Sequence, residues 1–479
     1  MQRSTLLLVA CAVVACGACK GGTRGRSGEP AITTPTEIPA PLGNAWKGSK
    51  ASAWVRSLTD EVGPRLAGSE GDAKATAWGE RTMKTLGLSN VHLEEVKVPR
   101  WDRGAESAEL VAPFAHRLSL TALGGSVGTP DEGIEAEVLR VPSLEALTKL
   151  PDDAARGKIV FIDVETKPTK TGEGYGKAVG ARFAGASAAA KKGAIAMIVR
   201  SIATSKTRLP HTGAMKYDDG VPKIPAAALA VPDAMLLQRL LEDPQARVRL
   251  RLRLGCRELG EAISQNVVGD VLGRDRPDDV VLLGAHLDSW DLGTGALDDG
   301  AGVGVVLEVA RLVQALPSHP RRTVRVVLFA DEESGVKGGI AYAERHQAEL
   351  ARHFAALELD VGGGKAWGFS YLAAEGKNLE ISALASPLQA LGVRTVAKGE
   401  HFGSDISPLR YAGVPVFDLD QDASTYFDFH HSADDTFDKI DAKALDQVVA
   451  AAASFAWSAA EMQGELGRVP ETSRGKKWW

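Results

Sequence analysis

Cysteine is nearly absent from the body of this chain. Of its four cysteines, Cys11, Cys16 and Cys19 crowd the first residues, and only Cys256 follows. That excludes a disulfide framework. A surplus of positive charge is missing too: the formal net charge is −5, which gives no ground for a nucleic-acid partner or an acidic membrane. Long apolar runs are also lacking. Beyond the first residues no segment is apolar enough to cross a membrane, and Leu6–Val14 is too short to do so. A hydrophobic content of 44% and a charged content of 24% are those of an ordinary soluble globular protein.

The first residues read as an export signal, with Arg3 ahead of the apolar Leu6–Val14 and small residues after it. Leu8-Val9-Ala10-Cys11 and Val13-Val14-Ala15-Cys16 both resemble a bacterial lipobox. Cys16 leaves the longer apolar core, so 1–16 is read as a lipoprotein signal, with Cys11 as the other candidate and a plain secretory signal as the alternative. Residues 17–44, rich in Gly, Thr and Pro, read as a flexible linker. The expected location is the cell envelope, with the membrane reached only through a lipid anchor.

The rest divides into a catalytic domain (45–109 and 256–465), an insert (110–255) and a frayed tail (466–479). Short β-like runs in the insert, Ala136–Val141, Lys158–Asp163, Ile195–Val199, Ala226–Val231 and Val248–Leu254, are separated by Gly-, Pro- and Ala-rich stretches. The Ala-rich Phe183–Lys192 reads as a helix, making a small βαβ module. His211 stands alone there and is read as structural. The fold class expected is α/β: a mixed, mostly parallel central sheet with helices on both faces, interrupted by that insert.

Chemistry gathers at strand ends. Val280–Gly284 is a short apolar run, fit for a buried strand, and it stops at Ala285-His286-Leu287-Asp288. A Gly-rich loop then leads through Asp298-Asp299-Gly300 into the helical stretch Ala301–Leu316. Val324–Phe329 ends at Asp331-Glu332-Glu333, Ala355–Leu359 at Asp360, and Val414–Leu419 precedes His430-His431. Open α/β sheets place their sites at such carboxyl ends. Imidazole and carboxylate ligands without thiolate suit Zn²⁺. A symmetrical assignment gives His286 and Asp360 to one ion, Glu333 and His431 to the other, and Asp298 to both. The two Zn²⁺ would hold a hydroxide between them, with Glu332 as general base and Asp288 orienting His286. Arg65 either reaches a site carboxylate or forms a structural ion pair.

The ordered motifs His286-Leu287-Asp288, Asp298-Asp299-Gly300-Ala301-Gly302, Glu332-Glu333-Ser334-Gly335, Glu358-Leu359-Asp360 and His431-Ser432-Ala433-Asp434-Asp435-Thr436 together resemble the di-zinc aminopeptidase family. Val62–Ser69 and Gly403–Pro408 extend the likeness toward its carboxypeptidase Q branch. The resemblance implies zinc at His286, Asp298, Glu333, Asp360 and His431, with Glu332 as base and Asp288 in support. It further implies a protease-associated domain at Leu110–Leu254, peptide substrates and a homodimer. His401, Ser404, Asp405 and His430 are expected to line the substrate cleft or support it, and Asp331 to face solvent. Two other functions fit the same scaffold: a single-zinc cyclase or deacylase, and a non-catalytic binding protein.

Overall fold

The structure, a computed structural model, describes residues 37–243 and 245–477. The expected signal and the expected linker up to residue 36 lie outside the described residues. Two eight-stranded sheets organise the chain. In the first, the strand Arg276–His286 is central and runs parallel to both neighbours, Arg322–Phe329 and His353–Glu358. Val416–Gln421 continues the parallel set beyond His353–Glu358. On one flank Arg257–Val271 and then Ser89–Asp102 add antiparallel; on the other Ala366–Leu372 adds antiparallel and carries the edge strand Thr395–Lys398, parallel to it. Burial on both faces explains why Val280–Gly284 is continuously apolar rather than alternating.

One face is covered by Ala51–Glu61, Glu70–Thr85, Ala301–Gln314 and Ala442–Glu461. The last of these presents the wholly buried run Ala450–Ala453, whose small side chains let the backbone come close. Lys337–Arg345 and Ser407–Tyr411 cover the other face through Tyr342 and Leu409. The register sets His286 opposite Phe329 and Gly284 opposite Glu358, so the parallel strands end level. Their carboxyl-end loops therefore open onto one common region.

The second sheet spans Glu106 to Leu254. It is reached at the far end of the Ser89–Asp102 and Arg257–Val271 pair, where Asp102 stands opposite Arg257. Ile159–Ile162 and Ala196–Arg200 are parallel and joined by the helix Glu173–Ala190. This helix starts ten residues ahead of the expected Phe183. Its first turns carry Gly174, Gly176 and Gly180, a composition that reads as loop.

Both ends of the folded part are longer than expected. Ala40–Gly43 is already helical and Leu42 is wholly buried, so the linker gives way to packed structure before residue 44. The tail is not frayed after Gly467 either. Leu466 and Val469 are buried, Val469 N donates to Gly413 O at 2.9 Å, and Arg474 Nε donates to Val469 O at 3.0 Å. Among the described residues no helix is long and apolar enough to cross a membrane.

Candidate active site

The level strand ends bring five predicted ligands together. His286 Nε2 lies 3.2 Å from Asp298 Oδ1 and 3.3 Å from Asp360 Oδ1. His431 Nε2 lies 3.1 Å from Asp298 Oδ2 and 3.0 Å from Glu333 Oε2. Each Asp298 oxygen thus serves a different half of the cluster. His286, Asp298 and Asp360 alone form a triad spaced to hold one cation. The Asp298–Asp299 peptide is cis.

Glu332 and Glu333 ride on a single helical turn, Glu332–Gly335, entered and left through left-handed residues, Asp331 and Val336, both at φ 57°. Consecutive helical residues point about 100° apart, so Glu333 turns to His431 while Glu332 remains beside the cavity. His431 is also left-handed, at φ 62°. Its ring stacks on that of His430 with centroids 3.5 Å apart.

His430 is more than a packing residue. Its Nε2 stands 3.4 Å from Asp298 Oδ2, it lines the cavity, and with Asp298 and His431 it forms a second triad spaced for a cation. Burial first, and then the neighbouring His431, lower its pKa well below the usual imidazole value. The second half of the cluster therefore offers two candidates, Glu333 and His430, to complete its ligand set.

Other buried carboxylates pin backbone instead of facing the cavity. Asp288 accepts from Glu332 N at 3.0 Å and Glu333 N at 3.3 Å. It reaches His286 Nδ1 chiefly through its main-chain oxygen, at 3.1 Å, with the carboxylate at 3.5 Å. Its role is therefore wider than orienting one imidazole: it ties the His286 strand end to the Glu332–Glu333 turn. Asp299 accepts from His286 N and Gly302 N, Asp435 from Leu297 N and Asp298 N, and Glu358 from Asp405 N and Ile406 N. At Gly302 a Cβ would strike Leu359 O and the Asp299 carboxylate. Replacing Asp288 by Ala is expected to lower metal affinity or activity by about 10–100-fold, checked by metal titration of the purified protein.

Three expectations need correction. Asp331 does not face solvent: it is wholly buried and accepts from Ser334 Oγ. Asp405 does not line the cleft. It is wholly buried, with Oδ1 accepting from Gly339 N at 3.3 Å, and neither it nor Ser404 borders the cavity. Of that substrate set, His401 and His430 border it. Arg65 makes neither predicted contact. Wholly buried, it donates to the carbonyls of Leu287, Thr294 and Gly295 and so clamps the loop between His286 and Asp298.

The second sheet also reaches the site, which the sequence did not announce. His211 Nδ1 meets His430 O at 2.6 Å and Thr212 N donates to His431 O at 2.9 Å. His431 Nδ1 faces Thr212 O at 3.3 Å, and Arg182 Nη1 lies 3.4 Å from that same oxygen. A cavity of about 820 Å³ separates the cluster from the first turns of Glu173–Ala190, with Tyr175 and Arg182 on one wall and Glu332, Glu333 and Asp360 on the other.

The residues fit bound metal cations. Buried carboxylates demand cationic partners; Asp298 and Glu333 are buried, and the half-buried Asp360 joins them. Glu333 Oε1 is buried with no hydrogen-bond partner among the described residues, and Asp298 Oδ2 meets only the imidazoles of His430 and His431. Burial, then Asp360, raises the Glu332 carboxyl well above the ordinary glutamate range.

The sequence model of peptidase family M28 matches residues 266–456. The chain is 39% identical over 412 residues to carboxypeptidase Q of Mus musculus, covering 86% of each chain. The chain belongs to peptidase family M28. It is a hydrolase, and its relatives set it among the metallo-exopeptidases. Human carboxypeptidase Q is 38% identical over 412 residues, 86% of this chain and 85% of the relative. The crystal structure of a peptidase M28 precursor from Shewanella amazonensis superposes with a TM-score of 0.88 at 44% identity, over 90% of this chain and 97% of that one. A zinc aminopeptidase from Bacillus subtilis shares the fold, with a TM-score of 0.62 at 20% identity, over 90% of this chain and 98% of that one.

Proposed function

We propose that this protein is a two-zinc exopeptidase of dipeptides and short peptides. His286 and Asp360 would hold one ion, Glu333 and His431 the other, and Asp298 both. One observation carries this reading: the Asp298 carboxylate divides its oxygens between His286 with Asp360 and His431 with Glu333. A single-metal cyclase or deacylase has no use for two complete halves. The imidazole and carboxylate donor set favours zinc, and the neighbour from Bacillus subtilis is described as a zinc aminopeptidase.

Bound ions would supply Lewis acidity, polarising the scissile carbonyl and acidifying the attacking water. The chain's own residues do the rest. Glu332 borders the cavity beside the cluster and carries no ligand duty, so its carboxylate takes the proton from the attacking water and returns it to the leaving amine. Asp288 fixes the turn that presents Glu332. The helix Glu173–Ala190 narrows the cavity opposite, which favours chain ends over chain middles.

Arg182 points to the end that is read. It is buried, lines the cavity and has no carboxylate partner among the described residues. A free C-terminal carboxylate would complete it. Dipeptides blocked at either end test this. Amidating the carboxyl end is expected to cost about 10²-fold in kcat/KM, and Arg182→Gln to remove the difference between acid and amide. Equal loss on both substrates would reduce Arg182 to a support for His431. Full activity on amidated dipeptides and none on acetylated ones would reverse the preferred end.

A further inference from the structure

A second cavity, of about 1060 Å³, lies behind the wall of the first. Lys170 and Asp422 line it, whereas their neighbours Thr171 and Ala423 line the catalytic cavity. Ala423 N donates to Lys170 O at 3.0 Å and Asp422 N to Lys365 O at 3.0 Å, which knits that wall together.

This cavity is ringed by basic side chains. Lys47, Lys170, Lys365 and Lys443 stand exposed around it on a chain of net charge −5. None of the four forms an ion pair among the described residues. The two carboxylates nearby are engaged locally: Asp446 accepts from Ser49 N at 2.9 Å, and Asp422 from Ser424 N at 3.0 Å. Two indoles complete the lining. Lys170 Nζ sits 4.6 Å from the Trp367 ring centroid and Lys47 Nζ 5.4 Å from that of Trp46. Trp46 is 50% exposed.

The geometry points to a second binding site, taking an acidic peptide whose carboxylates meet Lys47, Lys170, Lys365 and Lys443 while its apolar side chains lie on Trp46 and Trp367. Four unpaired ammonium groups call for several negative charges on one ligand. The indole faces call for an apolar body between those charges, which a simple anion lacks. The site is also concave and large enough for several residues, which a flat bilayer would not fill. None of these six residues belongs to the metal cluster, so the inference stands apart from the proposed reaction.

Calorimetric titration of the full chain tests it, using a hexapeptide of alternating Glu and Leu that is acetylated and amidated so that neither end is free. Saturable binding is expected, weakened by high salt and by Trp46→Ala. The double change Lys365→Glu with Lys443→Glu should weaken it about 10-fold or more at an unchanged melting temperature, since both side chains are exposed. The matching Gln and Leu peptide should not bind. No saturable binding, binding untouched by the charge reversal, or equal binding of the neutral peptide would overturn the assignment. Capture of phosphatidylglycerol vesicles without peptide binding would overturn it too, in favour of a membrane contact.

Discussion

Asp298→Asn is expected to empty both halves of the metal cluster and to lower kcat/KM by at least about 10³-fold, beyond the 10–100-fold typical of losing a supporting residue. The change keeps the size of the side chain and its loop contacts, because the backbone of Leu297 and Asp298 is held by Asp435. It replaces a carboxylate that offers one oxygen to each half by an amide with a single acceptor. The amide nitrogen would then face either His286 with Asp360 or His431 with Glu333, and it donates where a ligand must accept. Metal binding contributes to folding stability through linkage. The melting temperature of the wild type should therefore fall on chelation, and that of the variant should hardly respond. A variant that retains the wild-type metal content would remove Asp298 from its shared role.

Glu332→Gln should behave in the opposite way. It leaves His286, Asp298, Glu333, Asp360 and His431 untouched, and the amide keeps the backbone N–H that Asp288 accepts. Metal content and melting temperature should stay at wild-type values. Proton transfer is what disappears, a loss of about 10²–10⁴-fold that falls on kcat rather than KM. Glu333→Gln should instead loosen one ion, and added Zn²⁺ should recover part of the activity. If Glu332→Gln loses metal and Glu333→Gln keeps it, the two roles are exchanged. A third outcome, with both glutamines holding metal, would make His430 the ligand, since it too faces Asp298 Oδ2.

The proposed ligands were legible because they lie where short apolar strands stop. A strand buried on both faces is an unbroken apolar run, so the first polar residue after it is conspicuous, as His286 is after Val280–Ala285. What surrounds them was not legible, for a physical reason. A carboxylate placed to hold a metal and one that holds backbone N–H groups are the same residue type, and only geometry separates Asp298 and Asp360, which face imidazoles across the cluster, from Asp288, Asp299, Asp435 and Glu358. Asp331 and Asp405 belong with the second group in being buried, and their polarity concealed that. Arg65 carries the same lesson in reverse, since a cation near acids turned out to serve carbonyls.

Distance along the chain hid the remainder. Arg182 is 249 positions from His431, and no periodicity or spacing connects them. The contact arises because the strand pair Ser89–Asp102 and Arg257–Val271 carries the second sheet away from the core, while its Arg182 and 211–212 segments return to the cluster. The folded ends escaped for a simpler reason: single buried anchors such as Leu42 and Val469 leave no repeating pattern to read.

Elemental analysis of the purified wild-type protein, after gel filtration in metal-free buffer and with no metal added, tests the central claim most directly. The shared Asp298 carboxylate predicts close to two equivalents of zinc per chain, both removed by chelation together with activity. A fully active protein holding one equivalent would contradict it.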